Sequence, residues 1–228
     1  MYWDSTIILL LPGLILGLWA QARVKSAYEK FSRVPTQGRL PAWQVVQYLL
    51  QKQGAGDVAV ERTHGQLTDH YDPRSNTLRL SQGVYDSASV AALGIAAHEA
   101  GHAIQHAVGY FPLKLRSLSV PVANFGSWLS LPVVILGIAL GRETLAQVGV
   151  FLFTFVVLFQ LITLPVEFNA SRRAMRAMEN GAILSGEQLS GAGKVLRAAA
   201  LTYVAALFSA VLQLLRLILI AGGSRRRD

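Results

Sequence analysis

The 228-residue chain contains no cysteine. Disulfides, iron–sulfur clusters, thiolate zinc sites and cysteine nucleophiles are therefore excluded, and any metal must be held by His, Asp or Glu. Charge is scarce as well: Asp, Glu, Lys and Arg make up 15% of the residues, against about 25% in an ordinary soluble domain. The acidic side is the poorer one, with 13 Asp and Glu against 21 Lys and Arg, and the formal net charge is +8. A disordered tail, a collagen-like fibre and a typical cytosolic enzyme are all disfavoured by a chain that is 52% hydrophobic. What decides its class is where the apolar residues sit.

They are gathered into runs. The first, Ile7 to Ala20, has Tyr2, Trp3 and Trp19 at its ends and reads as a spanning helix over residues 1–20. No basic residue precedes it, and Asp4 stands where a signal peptide would carry positive charge, so the helix is expected to be retained. Leu118–Leu140 and Leu145–Val166, separated by Gly141, Arg142, Glu143 and Thr144, predict a membrane hairpin over 118–166. A fourth run from Ala198 to Ile220 predicts a span over 198–221, followed by a basic tail at 222–228. The two stretches left over, 21–117 and 167–197, hold sixteen of the 21 Lys and Arg, while the hairpin turn (Arg142), the far end of the fourth run (Arg216) and the tail (Arg225 to Arg227) hold the other five. The positive-inside rule then puts both stretches in the cytoplasm, and the basicity becomes a topology signal, with no nucleic-acid partner expected. Against this stands the tail, Arg225 to Arg227, which four full crossings would place outside; a last segment that does not fully cross removes the conflict.

Residues 21–117 are of mixed character. Val45, Val46, Leu49 and Leu50 give helical spacing over 42–53, ended by Gly54. Residues 58–60, 67–71 and 77–80 are short strand candidates. Asp86 and Ser87 offer N-caps to a helix expected over 88–108, with Gly109 at its end. The fold class expected is therefore mainly α: a multi-pass membrane helical bundle with a small α+β domain.

That last helix carries His98-Glu99-Ala100-Gly101-His102, the H-E-x-x-H pattern. Four residues apart on a helix, the two imidazoles lie about 40° apart round the axis and one turn along it, so they can converge on one ion. Glu99 projects about 100° away, near an attacking water. The surrounding Val90, Ala91, Leu93, Ile95 and Ala97 predict a buried helix, where unpartnered imidazoles would be costly. A third ligand is needed to make a hydrolytic zinc site. A compact arrangement would put a histidine six residues after His102, but Val108 stands there, and His106 in line on the same helix cannot complete a tetrahedron. Of the seven glutamates, only Glu167 stands at the expected cytoplasmic end of a membrane run. His70 or Tyr71 could offer a donor to an oxyanion, but ordinary loop polarity is the favoured account of both, and neither is counted among the site residues.

The strings Leu67-Thr68-Asp69-His70-Tyr71-Asp72-Pro73-Arg74, Ala96-Ala97-His98-Glu99-Ala100-Gly101-His102-Ala103-Ile104-Gln105 and Pro165-Val166-Glu167-Phe168-Asn169-Ala170-Ser171 resemble the YugP-like family of bacterial membrane zinc metallopeptidases. The resemblance covers nearly the whole chain. It implies a zincin-like catalytic domain, one Zn²⁺ held by His98, His102 and Glu167, and Glu99 as general base, but supplies no substrate; a membrane-proximal polypeptide is expected because the motif helix follows a cytoplasmic stretch tied to the membrane runs. A more distant similarity is to HtpX-like membrane proteases, whose third ligand lies in an E-x-x-A-D pattern. Here Glu167, Ala170 and Ser171 match it, with a serine in place of the aspartate that would orient a ligating histidine. That departure keeps open an alternative: a zinc-binding membrane scaffold or regulator without catalysis.

Overall fold

A computed structural model describes residues 5–223 of the chain. Tyr2, Trp3, Asp4 and Arg225 to Arg227, which bear on the first span and the tail, lie outside the described residues. A 3-10 segment, Ser5–Leu10, leads into α1 (Leu11–Phe31), followed by α2 (Ala42–Lys52), β1 (Ala59–Thr63), β2 (His70–Asp72), β3 (Thr77–Ser81) and the short α3 (Gln82–Tyr85). Four longer helices complete the order: α4 (Val90–Ala107), α5 (Phe111–Ala139), α6 (Glu143–Asn180) and α7 (Gly186–Gly223). The protein is mainly helical, with one small sheet. It divides into two compact units, and α1, α5, α6 and α7 each contribute part of their length to both.

One unit consists of the chain up to Ala20, Leu115–Pro165 and the chain from Leu201 onward. It holds the apolar stretches of four helices long and apolar enough to cross a membrane. Its large apolar side chains point outward: Leu118, Trp128 and Phe151 are 72%, 74% and 62% exposed. Its interior is made mostly by small residues, with Leu217 and Val134 buried as well. A Cβ placed on Gly126 would stand 2.5 Å from the carbonyl oxygen of Leu152, so α5 and α6 approach there at backbone distance. The turn between these helices is Leu140–Arg142, shorter than the four residues expected, because Gly141 at φ 62° ends α5 sharply and Glu143 already belongs to α6. The helices outrun the apolar runs at several ends, as where α6 continues past Val166 to Asn180. Polar side chains do not end a helix; caps do.

The other unit, Gln21–Lys114 and Val166–Ala200, is built the opposite way round. Val45, Val46, Leu49 and Leu50 form the buried face of α2, which ends at Gly54 with φ 74°. The sheet has the order β1-β3-β2, with β1 parallel and β2 antiparallel to β3. Leu78 and Leu80 of the central strand are fully buried, and they join α2, α4, Met178 and Leu184 in a single core. Of the two strands preceding the motif helix, only β2 provides a sheet edge, since β3 is flanked on both sides.

The motif helix α4 is buried over most of its length. Its N-cap is Ser89, whose hydroxyl accepts from the Ala92 N–H at 3.2 Å. Asp86 and Ser87, the expected caps, are engaged elsewhere: Asp86 accepts from Arg62 at 2.7 Å, and the Ser87 hydroxyl donates to that of Ser89 at 3.0 Å. At the other end Gly109, at φ 64°, donates to the His106 carbonyl and Tyr110 to that of Gln105, which is a Schellman closure.

Candidate metal centre

α4 and α6 bring three side chains together. His98 and His102 stand one turn apart on α4, their rings edge to face with centroids 4.8 Å apart. Glu167 of α6 reaches both: its Oε2 lies 3.2 Å from His98 Nε2 and 3.5 Å from His102 Nε2. The carboxylate is 2% exposed, and the ligand atoms of all three groups lie within 4.8 Å of one another. Gly101 makes this approach possible, because a Cβ there would stand 2.5 Å from the Ala170 carbonyl oxygen. Among the described residues no other set of His, Asp and Glu meets in this way.

The outer face of each ring shows how it is held. Gln105, fully buried, donates through Nε2 to the Val166 carbonyl at 2.9 Å and to Asn169 Oδ1 at 2.9 Å. A carbonyl only accepts, so the amide orientation is fixed and Gln105 Oε1 is left facing His102 Nδ1 at 3.1 Å. His102 must therefore carry its proton on Nδ1 and present a lone pair at Nε2. His98 Nδ1 meets the Ser171 hydroxyl at 3.1 Å, a group that can accept in the same sense. Two imidazole lone pairs and a buried carboxylate then face one point, which is the donor set of a divalent zinc site with two histidines and one glutamate.

The comparisons agree with that chemistry. Residues 6–222 match the family described as "Putative neutral zinc metallopeptidase". The chain belongs to this zinc metallopeptidase family. It is also 43% identical over 214 residues to "Putative membrane protease YugP" of Bacillus subtilis (strain 168), covering 94% of this chain and 95% of that protein. No solved structure matches the chain.

In this family member Glu99, the remaining residue of the motif, is tied to the sheet. Its Oε2 accepts from the Tyr71 backbone N–H of edge strand β2 at 3.1 Å, which leaves Oε1 for other work. Burial pushes the Glu99 carboxyl up to about 7; Glu167 and Asp69 push the same way, while His98 and the Tyr71 N–H oppose. Tyr71 therefore orients Glu99 through its main chain. Its phenol, raised to about 12 by burial and then by Asp57 and Asp72, stays protonated. Asn76 donates to Asp57 Oδ2 at 3.0 Å, so its Oδ1 faces Tyr71 and takes the phenolic proton at 2.7 Å. The same phenol oxygen then accepts from His106 Nδ1 at 2.7 Å. The Tyr71 hydroxyl is thus already spent, and His70 Nδ1 lies 2.8 Å from the Thr68 carbonyl.

Sequence reasoning brought out His98, Glu99, His102 and Glu167, and the structure sets all four around α4 and α6. It overlooked Gln105, Asn169 and the Tyr71 backbone. Gln105 does carry a signal, standing three residues and nearly one turn beyond His102, the right offset to reach its ring.

Proposed function

We propose that the protein is a multi-pass membrane zinc endopeptidase, with its helix–sheet unit on the cytoplasmic face of the bacterial inner membrane. His98, His102 and Glu167 would hold one Zn²⁺. The observation that carries this reading is the convergence of two imidazole nitrogens, one backed by the fixed Gln105 amide and the other by the Ser171 hydroxyl, on a carboxylate that is 2% exposed. Zinc, when bound, supplies Lewis acidity toward a carbonyl and lowers the pKa of water toward about 7.

The protein's own groups do the rest. Glu99, held at Oε2 by the Tyr71 N–H, takes a proton on Oε1 from the attacking water and returns it to the leaving amine as the C–N bond breaks. The exposed leucines and aromatics of the four-helix unit would lie in lipid, and sixteen basic residues against five set the orientation. The domain limits follow that orientation: spans over 1–20, 118–166 and 198–221, with 21–117 and 167–197 in the cytoplasm. Substrates would be polypeptides presented close to the membrane, such as tails of membrane proteins.

The test is Glu99→Gln in the purified full chain. Peptide cleavage should fall by about 10²-fold or more, with zinc content unchanged by elemental analysis. Retained cleavage would remove Glu99 from the mechanism. An inactive wild-type protein that still binds zinc would favour the scaffold alternative, whose one support is Ser171; its hydroxyl nevertheless reaches His98 Nδ1 at 3.1 Å.

A further inference from the structure

A polar cavity of about 260 Å³ lies on the helix–sheet unit; its lining includes none of His98, Glu99, His102 and Glu167 and shares only Asn169 with the hydrogen bonds that support His102. It is lined by the guanidinium-bearing Arg172, Arg173 and Arg176 of α6 and by the carboxamides of Asn169, Asn180 and Gln53. No carboxylate lines it. Among the described residues none of the three arginines has an ion pair, and Glu179 on the same helix does not supply one. Arg172 and Arg176, four residues apart, repel each other along the helix, so the arrangement lacks an anion.

Arg173 is already positioned to receive one. Its Nε donates to Asn169 Oδ1 at 2.8 Å and its guanidinium lies 5.8 Å from the Tyr110 ring centroid, which fixes the plane of the fork and leaves its terminal nitrogens for a ligand. Arg172 and Arg176 are exposed, so their forks are accessible from solvent. Three guanidiniums and the neighbouring amides offer more donors than the two oxygens of a carboxylate can use; a phosphate group matches them better, with four unesterified oxygens in the free ion and two unesterified plus two ester oxygens in a phospholipid diester. The volume is below the usual range for whole small-molecule ligands, about 300–1,000 Å³, and suits a single head group.

We propose that the Arg172–Arg173–Arg176 cavity is a phosphate-binding site. Two sources share the chemistry, the head group of an anionic phospholipid and free inorganic phosphate. On α6 the three arginines begin seven residues beyond Pro165, about 10 Å along the helix from the end of its apolar stretch, a distance at which basic side chains meet anionic head groups. The proposal does not rest on the peptidase reading.

The experiment uses the full chain in detergent. In one arm, inorganic phosphate is titrated against sodium chloride of equal ionic strength and the thermal midpoint is followed. In the other, binding of phosphatidylglycerol and of phosphatidylcholine is compared by native mass spectrometry. Phosphate should raise the midpoint beyond chloride, or phosphatidylglycerol should be retained in preference to phosphatidylcholine. Arg172→Gln/Arg176→Gln should need about tenfold more ligand or worse, while Arg74→Gln, on the β2–β3 turn, should match the wild type. Arg176→Lys, which keeps the charge and loses the fork, should fall between them and serves if the double variant is unstable. A response in the first arm alone assigns free phosphate, and one in the second alone assigns lipid. Equal responses of wild type and variants in both arms would overturn the site.

Discussion

The two units of this protein solve opposite problems with the same helices. In the unit of apolar stretches the large side chains face outward and small residues such as Gly126 make the interior; the polar side chains buried there, among the described residues, are the neutral hydroxyls of Ser130 and Thr163. In the helix–sheet unit leucines fill the core, and a carboxylate and an imidazole are buried as well. The difference is what the proposed surroundings of each unit would require. Apolar surface is stable against lipid and costly against water, whereas a buried charge is tolerated only where partners converge on it. Glu167 lies two residues beyond Pro165, the last residue assigned to the apolar unit, so α6 passes from one regime to the other within a single turn.

The strongest test of that contrast removes the buried charge. Glu167→Ala should abolish metal binding almost entirely, read as zinc per chain after gel filtration, because two imidazoles alone leave half of a tetrahedral site open. Zinc retained at one per chain would mean that the convergence of His98, His102 and Glu167 serves some other end.

The next test compares leucines. Leu49, 2% exposed in the helix–sheet core, should cost about 2–5 kcal/mol when cut to alanine. Leu158, 46% exposed in the apolar unit, should change stability by about 0.5 kcal/mol or less in the same detergent. Equal losses in thermal midpoint would show that Leu158 is covered by protein, and would break the distinction between the two surfaces.

Within the site, the two histidines differ in the same spirit. His102 leans on Gln105, which is buried and itself tied to Val166 and Asn169; His98 leans on the more accessible hydroxyl of Ser171. Partners of this kind are worth about 10–100-fold in metal affinity. Gln105→Leu should fall at the upper end, since it also removes the donor to the Val166 carbonyl and to Asn169 Oδ1, and Ser171→Ala at the lower end. Competition with a zinc chelator measures both, and the reverse order would show that the serine is the more important support.

Much of this was legible in the sequence, for identifiable reasons. Helical spacing at Val45, Val46, Leu49 and Leu50 and the dense apolar runs are local signals, and so is the four-residue interval between His98 and His102. Glu167 could be reached by elimination once cysteine and a near histidine were excluded, and the structure does set it beside both rings. What stayed hidden depends on partners distant in the chain. Ser89 caps α4, which begins only at Val90, while Asp86 closes α3 and pairs with Arg62; β3 is central because β1, earlier in the chain, pairs on its other side; and Gln105 matters because Val166 and Asn169 of another helix receive its amide. The positions of helix ends were hidden for a different reason: an apolar run stops at the edge of an apolar environment, while the helix stops at its caps.

Glu99 gives the most specific effect. In metal-free protein its carboxyl stands at about 7 when folded, against an ordinary 4.5, chiefly because it is buried. Between those values the folded chain keeps a proton that the unfolded chain has released, so protonation favours the fold. The contribution is complete below about pH 4.5 and is lost as pH rises through about 7. Glu99→Gln removes the titration while keeping a group that can accept from the Tyr71 N–H. The wild type should therefore lose a few degrees of thermal midpoint relative to the variant between about pH 5 and pH 8, measured in chelator. Parallel profiles would mean that water reaches Glu99 freely, and that the dry interior of the helix–sheet unit ends short of the motif's own carboxylate.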